Sequence, residues 1–388
     1  MKYFRAFLLA LLLVVGAGYS QVVKAQGAVI DVLGSGLNDA DKLMNAYLQP
    51  FGESFALGLG QNWNNTANTL KLLRFNVQAG FSVVLMPDEK RTFDPQALGM
   101  ENLRPLSNTA PTVLSPFNRG PGYELSVANP ENPSERIVID TLDGLTRGLG
   151  VSFNAVPFLQ LNIGLVKGTE LSVRFVPTID LSSFSKGSGS VGMWGVGLKH
   201  EIKQWIPGVK NLPFSLSGYF NYSRLTFDLG VNLKSPESKQ YKPFDSQSTQ
   251  PQVVGFDYTN QGTFNFANQS ILMDASSMGF GIIASKKVLA VTPFISFGIQ
   301  KASFSLRTAG QYAVLTGLRI NGSSDPLPGA AREQYTVFTD PINIEPAAIN
   351  DFRYSVGCRL KVLIFGIHAE YFGIGAYTGG NVGVSLGF

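Results

Sequence analysis

Alternation of apolar and polar residues, sustained over unusually long stretches, constrains this chain more than any other feature. From Leu73 the odd positions read Leu73, Phe75, Val77, Ala79, Phe81 and Val83, while the even ones read Arg74, Asn76, Gln78, Gly80 and Ser82. Side chains of a strand point alternately to its two faces, so this period asks for hydrocarbon on one side and a polar setting on the other. Val151, Phe153, Ala155, Pro157, Leu159, Leu161 and Ile163 keep the phase, against Ser152, Asn154, Gln160, Asn162 and Gly164. The pattern returns at Leu171, Val173, Phe175, Pro177 and Ile179, and again from Phe352 to Leu360. It ends on Val382, Val384, Leu386 and Phe388. A membrane-crossing strand needs about 9–11 residues, which these segments supply.

A soluble β-sandwich also alternates, but its strands are short and come at even intervals of about 8–12 residues. Here the connections are sharply unequal. Short ones fall at Lys167–Thr169, Ser285–Leu289 and between Val362 and Leu363. Long, proline-containing ones fall at about 87–144, 234–252 and 308–350. Short turns on one side and long loops on the other are the asymmetry of a transmembrane barrel. The expectation is an all-β fold, a single antiparallel transmembrane β-barrel of about ten strands within a range of about 8–14, rising to about twelve or fourteen if strand-like pieces at Tyr123–Val127 and Arg136–Asp140 join it. The trace runs 71–86, 147–165, 170–182, 190–200, 212–231, 264–285, 291–308, 351–362, 363–376 and 380–388.

The first residues fit export to such a membrane. Lys2 and Arg5 precede an apolar run from Ala6 to Val15, too short to span a bilayer, and Val23-Lys24-Ala25 offers a cleavage position before Gln26. The division expected is a signal peptide at 1–25, an N-terminal helix and candidate plug at 26–69, and an outer-membrane barrel at 70–388 of a bacterial cell. Only 15% of residues are charged, against 42 Gly and 28 Phe, which suits strands facing lipid. A net charge of +4 without a long basic run gives no footprint for nucleic acid. The single cysteine, Cys358, can form neither an internal disulfide nor a metal cluster by itself.

Two helical pieces are expected. Ala40, Leu43, Met44, Tyr47 and Leu48 lie on one helical face, with Asn38 and Asp39 as caps and Pro50 as the stop. This helix either plugs the lumen or caps the periplasmic end, and no sequence feature places it inside. A shorter piece after His200 sets Ile202, Trp205 and Ile206 together, with Trp205 at headgroup depth as a membrane-interface anchor.

The stretches LNDADKLMNAYLQPF, LVKGTELSVRFVP and LKHEIKQWIPG, joined to the terminal LGF, resemble a family of bacterial outer-membrane barrels known only as a domain of unknown function. More distantly the plan resembles FadL-type channels for hydrophobic solutes, although the Asn-Pro-Ala signature of those channels is absent. The resemblance implies fold and location and brings no activity. The terminal Phe388 is similar to the C-terminal signal that such barrels present to their assembly machinery.

Catalysis is not expected. His368 and Glu370 share the lumen face of one strand, but no Gly-x-Ser-x-Gly elbow and no His-Glu-x-x-His motif accompanies them, and no cofactor is implied. Arg74, Arg174, Arg353, Arg359 and Lys361 are read as inward. They either form a cationic wall for a small amphiphilic or anionic solute, or pair with Asp180, Asp351 and Glu370 to fill a narrow barrel. The first alternative gives a channel or binding protein. The second fits a structural barrel that meets a protein partner through its loops, and a lipid-modifying enzyme is more distant. Outer-membrane lipid is the expected surrounding in every case.

Overall fold

The computed structural model describes residues 37–388 apart from 117–119, 131, 133, 146–149, 181–188, 208–212, 232–235, 242 and 244–251. The signal segment lies outside them. Ten strands close a barrel: β1 (Phe75–Leu85), β2 (Phe153–Gly164), β3 (Thr169–Asp180), β4 (Gly189–Glu201), β5 (Ser215–Val231), β6 (Gln269–Ser285), β7 (Val291–Ala309), β8 (Asn343–Val362), β9 (Phe365–Ile374) and β10 (Tyr377–Gly387). Each pairs antiparallel with its chain neighbours, and β1 closes on β10 with Val77 opposite Leu386 and Phe81 opposite Val382. The apolar set of the alternation faces outward. Phe75, Leu161, Phe175, Val196, Phe280, Phe297, Val356 and Val384 are exposed there, while Asn76, Gln160, Ser172, Asn221, Gln300 and Asn381 are buried inside. With no sheet edge left, every strand can satisfy its backbone within the wall, the requirement for crossing hydrocarbon.

The outward face divides the barrel by height. On β8, Phe352, Tyr354, Val356, Cys358, Leu360 and Val362 run down to the last residue before the turn. Ten residues of rise at about 3.3 Å, tilted by about 40°, span about 25 Å, the height of a lipid-facing band. Above it the exterior becomes polar, at Lys301, Ser303, Ser305 and Arg307 on β7 and at Arg224 on β5, whose guanidinium pairs with Asp274 at 2.6 Å. The strands on this side therefore project beyond the membrane.

The long connections are folded. Leu103–Pro105, Tyr123–Ala128 and Arg136–Leu142 form one three-stranded sheet. Val253–Tyr258 runs parallel to Ala331–Thr339, which pairs antiparallel with Gln311–Ile320, so two separate crossovers share a second sheet. The strand-like pieces seen in the sequence thus belong to a loop platform and leave the barrel at ten strands. Asp257 lies within this platform, where hydrogen bonds from Arg332 hold its carboxyl below the ordinary value of 3.8. A depressed carboxylate contributes stability above its unfolded pKa and loses it as pH falls through the folded one. Limited proteolysis should accordingly leave the second sheet intact at pH 7 and cut it increasingly as pH falls from 3.8 through the lowered folded pKa, and Asp257→Asn should show the same cutting at neutral pH.

Among the described residues one helix, α1 (Leu37–Leu59), precedes the barrel strands. Pro50 was expected to end it, but the helix continues for another two turns and more. The proline's missing donor and ring clash cost about 3 kcal/mol, and burial of Ala56, Leu57 and Leu59 at 0–1% exposure outweighs this. The second helical piece is reduced to a three-residue turn, Lys203–Trp205. Trp205 stands exposed on it and donates from Nε1 to His200 Nε2 at 2.8 Å.

Candidate functional site

The lumen is occupied by the chain's own N-terminal part, in place of the periplasmic cap that the sequence somewhat favoured. At the loop end Asp39 does not cap the helix. Its carboxylate accepts the backbone N–H groups of Glu101, Asn102 and Leu103 at 2.7, 2.6 and 2.9 Å. Leu43, Met44 and Tyr47 are buried in one apolar cluster with Leu103, Leu114 and Tyr123, and Leu48 packs at its margin. One turn further, Glu53 accepts from Tyr377 and Lys90, and Asn154 donates to Ser54 Oγ at 2.6 Å. Below this the helix is buried all round, and Gly58 allows the approach of Val156 and Val84, which a Cβ at that position would meet at 2.6 and 3.4 Å.

The end of the helix is received by the barrel wall. The last carbonyls of a helix have no partner within it and carry the negative end of its dipole. Arg174 answers both needs: Nη1 donates to Leu59 O at 3.2 Å, Nη2 to Gln61 O at 2.8 Å and Nε to Gln160 Oε1 at 2.9 Å. Its guanidinium also lies over Trp63 at 4.0 Å and near Phe158 at 4.7 Å. Gln300 completes the cap by donating to Leu57 O at 2.8 Å. Gln61 then links this level to Arg353, whose Nε donates to Gln61 Oε1 at 2.8 Å and whose Nη2 meets Glu370 Oε1 at 2.7 Å. Asn381 donates to the second Glu370 oxygen at 2.7 Å.

His368 is held by the same segment. Its Nε2 lies 2.7 Å from Asn62 Oδ1 and its Nδ1 3.2 Å from Asn65 Nδ2, an amide pattern that assigns the neutral Nε2–H tautomer. Both ring nitrogens are thus committed to the plug, with neither placed to activate a hydroxyl. Further down, Lys199 pairs with Glu170 at 3.0 Å and donates to Thr66 O at 3.2 Å. Ala67 bonds Ser285 and Ser217, and Leu70 donates to Glu170 at 2.9 Å before the chain turns into β1.

Of the sequence-selected lumen residues, Arg174, Arg353, His368 and Glu370 meet around residues 59–65. Arg359 faces inward lower down, half-buried, with Nε lacking a protein partner. Four others depart from the expectation, among them Asp351, which is exposed on β8. Arg74 is exposed in the turn before β1, because Leu73 adopts a left-handed conformation (φ 59°) and ends the alternation there. Asp180 is exposed at the loop end, because a bulge between Val176 and Ile179 inserts one residue and reverses the phase of β3. Lys361 is exposed at the turn-end mouth. Phe388 stacks on Phe75 at 5.1 Å across the closing seam. The buried Lys199–Glu170 pair was not anticipated, although Lys199 shares the inward phase of Gly195 and Gly197.

A cavity of about 20 Å³ lies beside Gly60, Trp63, Asn221 and Arg353. Trp63 Nε1 and Asn221 Oδ1, both without a protein partner, line it and suit a single water molecule. Gly197 makes room for Trp63, since a Cβ there would stand 2.7 Å from the indole.

A closed antiparallel barrel with a lipid-height apolar belt, short turns at one end, folded loops at the other and its own chain through the middle is an outer-membrane β-barrel. The chain belongs to DUF6588, a family of unknown function that matches residues 1–388. Among solved structures it is similar to the translocator domain of autotransporter NalP from Neisseria meningitidis, with 10% identity, 89% of this chain and 98% of that one covered, and a TM-score of 0.29. It is also similar to outer membrane protease OmpT from Escherichia coli (9% identity, 83% and 100% covered, TM-score 0.29) and to a Pseudomonas aeruginosa FadL homologue (12%, 87% and 97%, 0.22). No curated protein matches the chain.

Proposed function

We propose that this protein is a closed outer-membrane barrel, without enzymatic activity, that holds a rigid loop platform outward to bind a macromolecular partner. The observation that carries this reading is the use made of the inward arginines. Arg174 and Arg353 spend their donors on Leu59, Gln61, Gln160 and Glu370, so neither is left to meet a solute. The platform supports it from the other side, with Leu106 and Val138 exposed on folded segments that the helix braces from below. A channel for a small amphiphilic or anionic solute would require α1 and residues 60–70 to leave, breaking the bonds at every level of the lumen.

Planar-bilayer recordings test this. Intact, heat-modifiable protein should give no steady conductance, and a variant lacking residues 37–66 should conduct once it is shown to be folded. Stable anion-selective conductance from the intact protein would return the reading to a solute channel.

A further inference from the structure

The turn end of the barrel carries an arrangement that a water-facing surface does not need. Leu73, Leu289 and Leu363 stand at the tips of three different turns, 78%, 91% and 88% exposed. All three adopt left-handed backbone conformations, with φ of 59°, 57° and 54°. Glycine or asparagine would take that conformation with less strain and would be better solvated. Val166, Val288, Ile364 and Trp205 add to the exposed apolar surface of the same rim. Between them lie exposed cations at Lys71, Arg74, Lys167, Lys286, Lys287 and Lys361. Among the described residues of this rim, Glu201 is half-buried and Glu170 is already paired with Lys199.

The membrane belt reaches the same place. On β7 and β8 its lower margin has no polar border: Val362 on β8 and Val291 on β7 are exposed immediately beside the turns that carry Leu363 and Leu289. The hydrocarbon boundary therefore coincides with the turn tips, and the leucines continue the belt.

We propose that the turn end is seated in the headgroup layer of the periplasmic leaflet, where the leucine tips wedge between acyl chains and the surrounding lysines bind anionic phospholipid. Apolar tips beside cations are the chemistry of an interfacial anchor. The charge complementarity and the unbroken belt favour lipid over a docked protein as the occupant.

The test uses the full chain in vesicles, with Cys358→Ser as background and Leu289→Cys carrying an environment-sensitive fluorophore. A blue-shifted emission, quenched by shallow nitroxide-labelled phospholipid and protected from aqueous iodide, is expected. Full iodide quenching without lipid quenching would overturn the proposal, as would shielding that requires added soluble protein. The charge component is read by analysing lipid retained from mixed micelles of phosphatidylglycerol and phosphatidylcholine. Each of Lys167→Gln, Lys286→Gln and Lys287→Gln should lower the preference for phosphatidylglycerol by up to about fivefold, with heat-modifiability retained. An unchanged preference in the triple variant would refute the anionic site.

Discussion

Replacing Arg174 by alanine should cost about 3–5 kcal/mol of barrel stability, the range for stripping a buried charged group from partners left behind. The residue is almost fully buried, at 2% exposure, and caps the helix with two donors while anchoring Gln160 with a third. Its loss leaves the carbonyls of Leu59 and Gln61 without their cation at the negative end of the helix. The predicted signs are a lower urea midpoint for unfolding and intermittent conductance as the plug detaches. Arg174→Lys should fall between, because a single ammonium cannot span three divergent acceptors. A variant as stable as the parent would show that the helix is held by its packing alone.

The pair Arg353–Glu370 should behave asymmetrically. Glu370→Ala leaves a buried guanidinium without its carboxylate and should cost about 3–5 kcal/mol, whereas Arg353→Met combined with Glu370→Met should cost much less than the two single changes summed. The comparison decides whether the pair stabilises the lumen or mainly fixes the register of Gln61, to which Arg353 also donates at 2.8 Å. Additive effects in urea denaturation would refute coupling between them.

The wall of this protein could be read from its sequence because lipid on one side and a filled lumen on the other impose a period of two on every strand. The ten strand positions and their connections follow from it. Errors arose where local geometry broke the period, as at the Leu73 turn and the bulge that turns Asp180 outward. The plug was less legible for a different reason. Residues 60–70 fell within the candidate plug but carry no apolar period to place them, and asparagine and glutamine rarely signal burial in a soluble protein. Inside the barrel they meet their own kind: Asn65 donates to Gln78 at 3.0 Å and Gln61 to Gln300 at 2.6 Å. The clue available was complementarity between that amide-rich segment and the inward Asn76, Gln78, Gln160 and Asn162. Small residues at Gly195 and Gly197 marked the place for a large neighbour. The continuation of α1 past Pro50 could not be read locally, because its stabilisation comes from walls distant in sequence.

The descent of α1 and residues 60–70 adds one transit to the ten made by strands, and eleven is an odd number. Leu37 and Phe388 consequently stand on opposite sides of the membrane, the former with the loops and the latter with the turns. The descending segment joins directly to β1, so plug and first strand form a single hairpin, with one arm in the bore and the other in the wall. Zipping β1 against β10 and seating the helix therefore become one event: the barrel cannot shut empty and be filled later without drawing Leu37 back through its own pore.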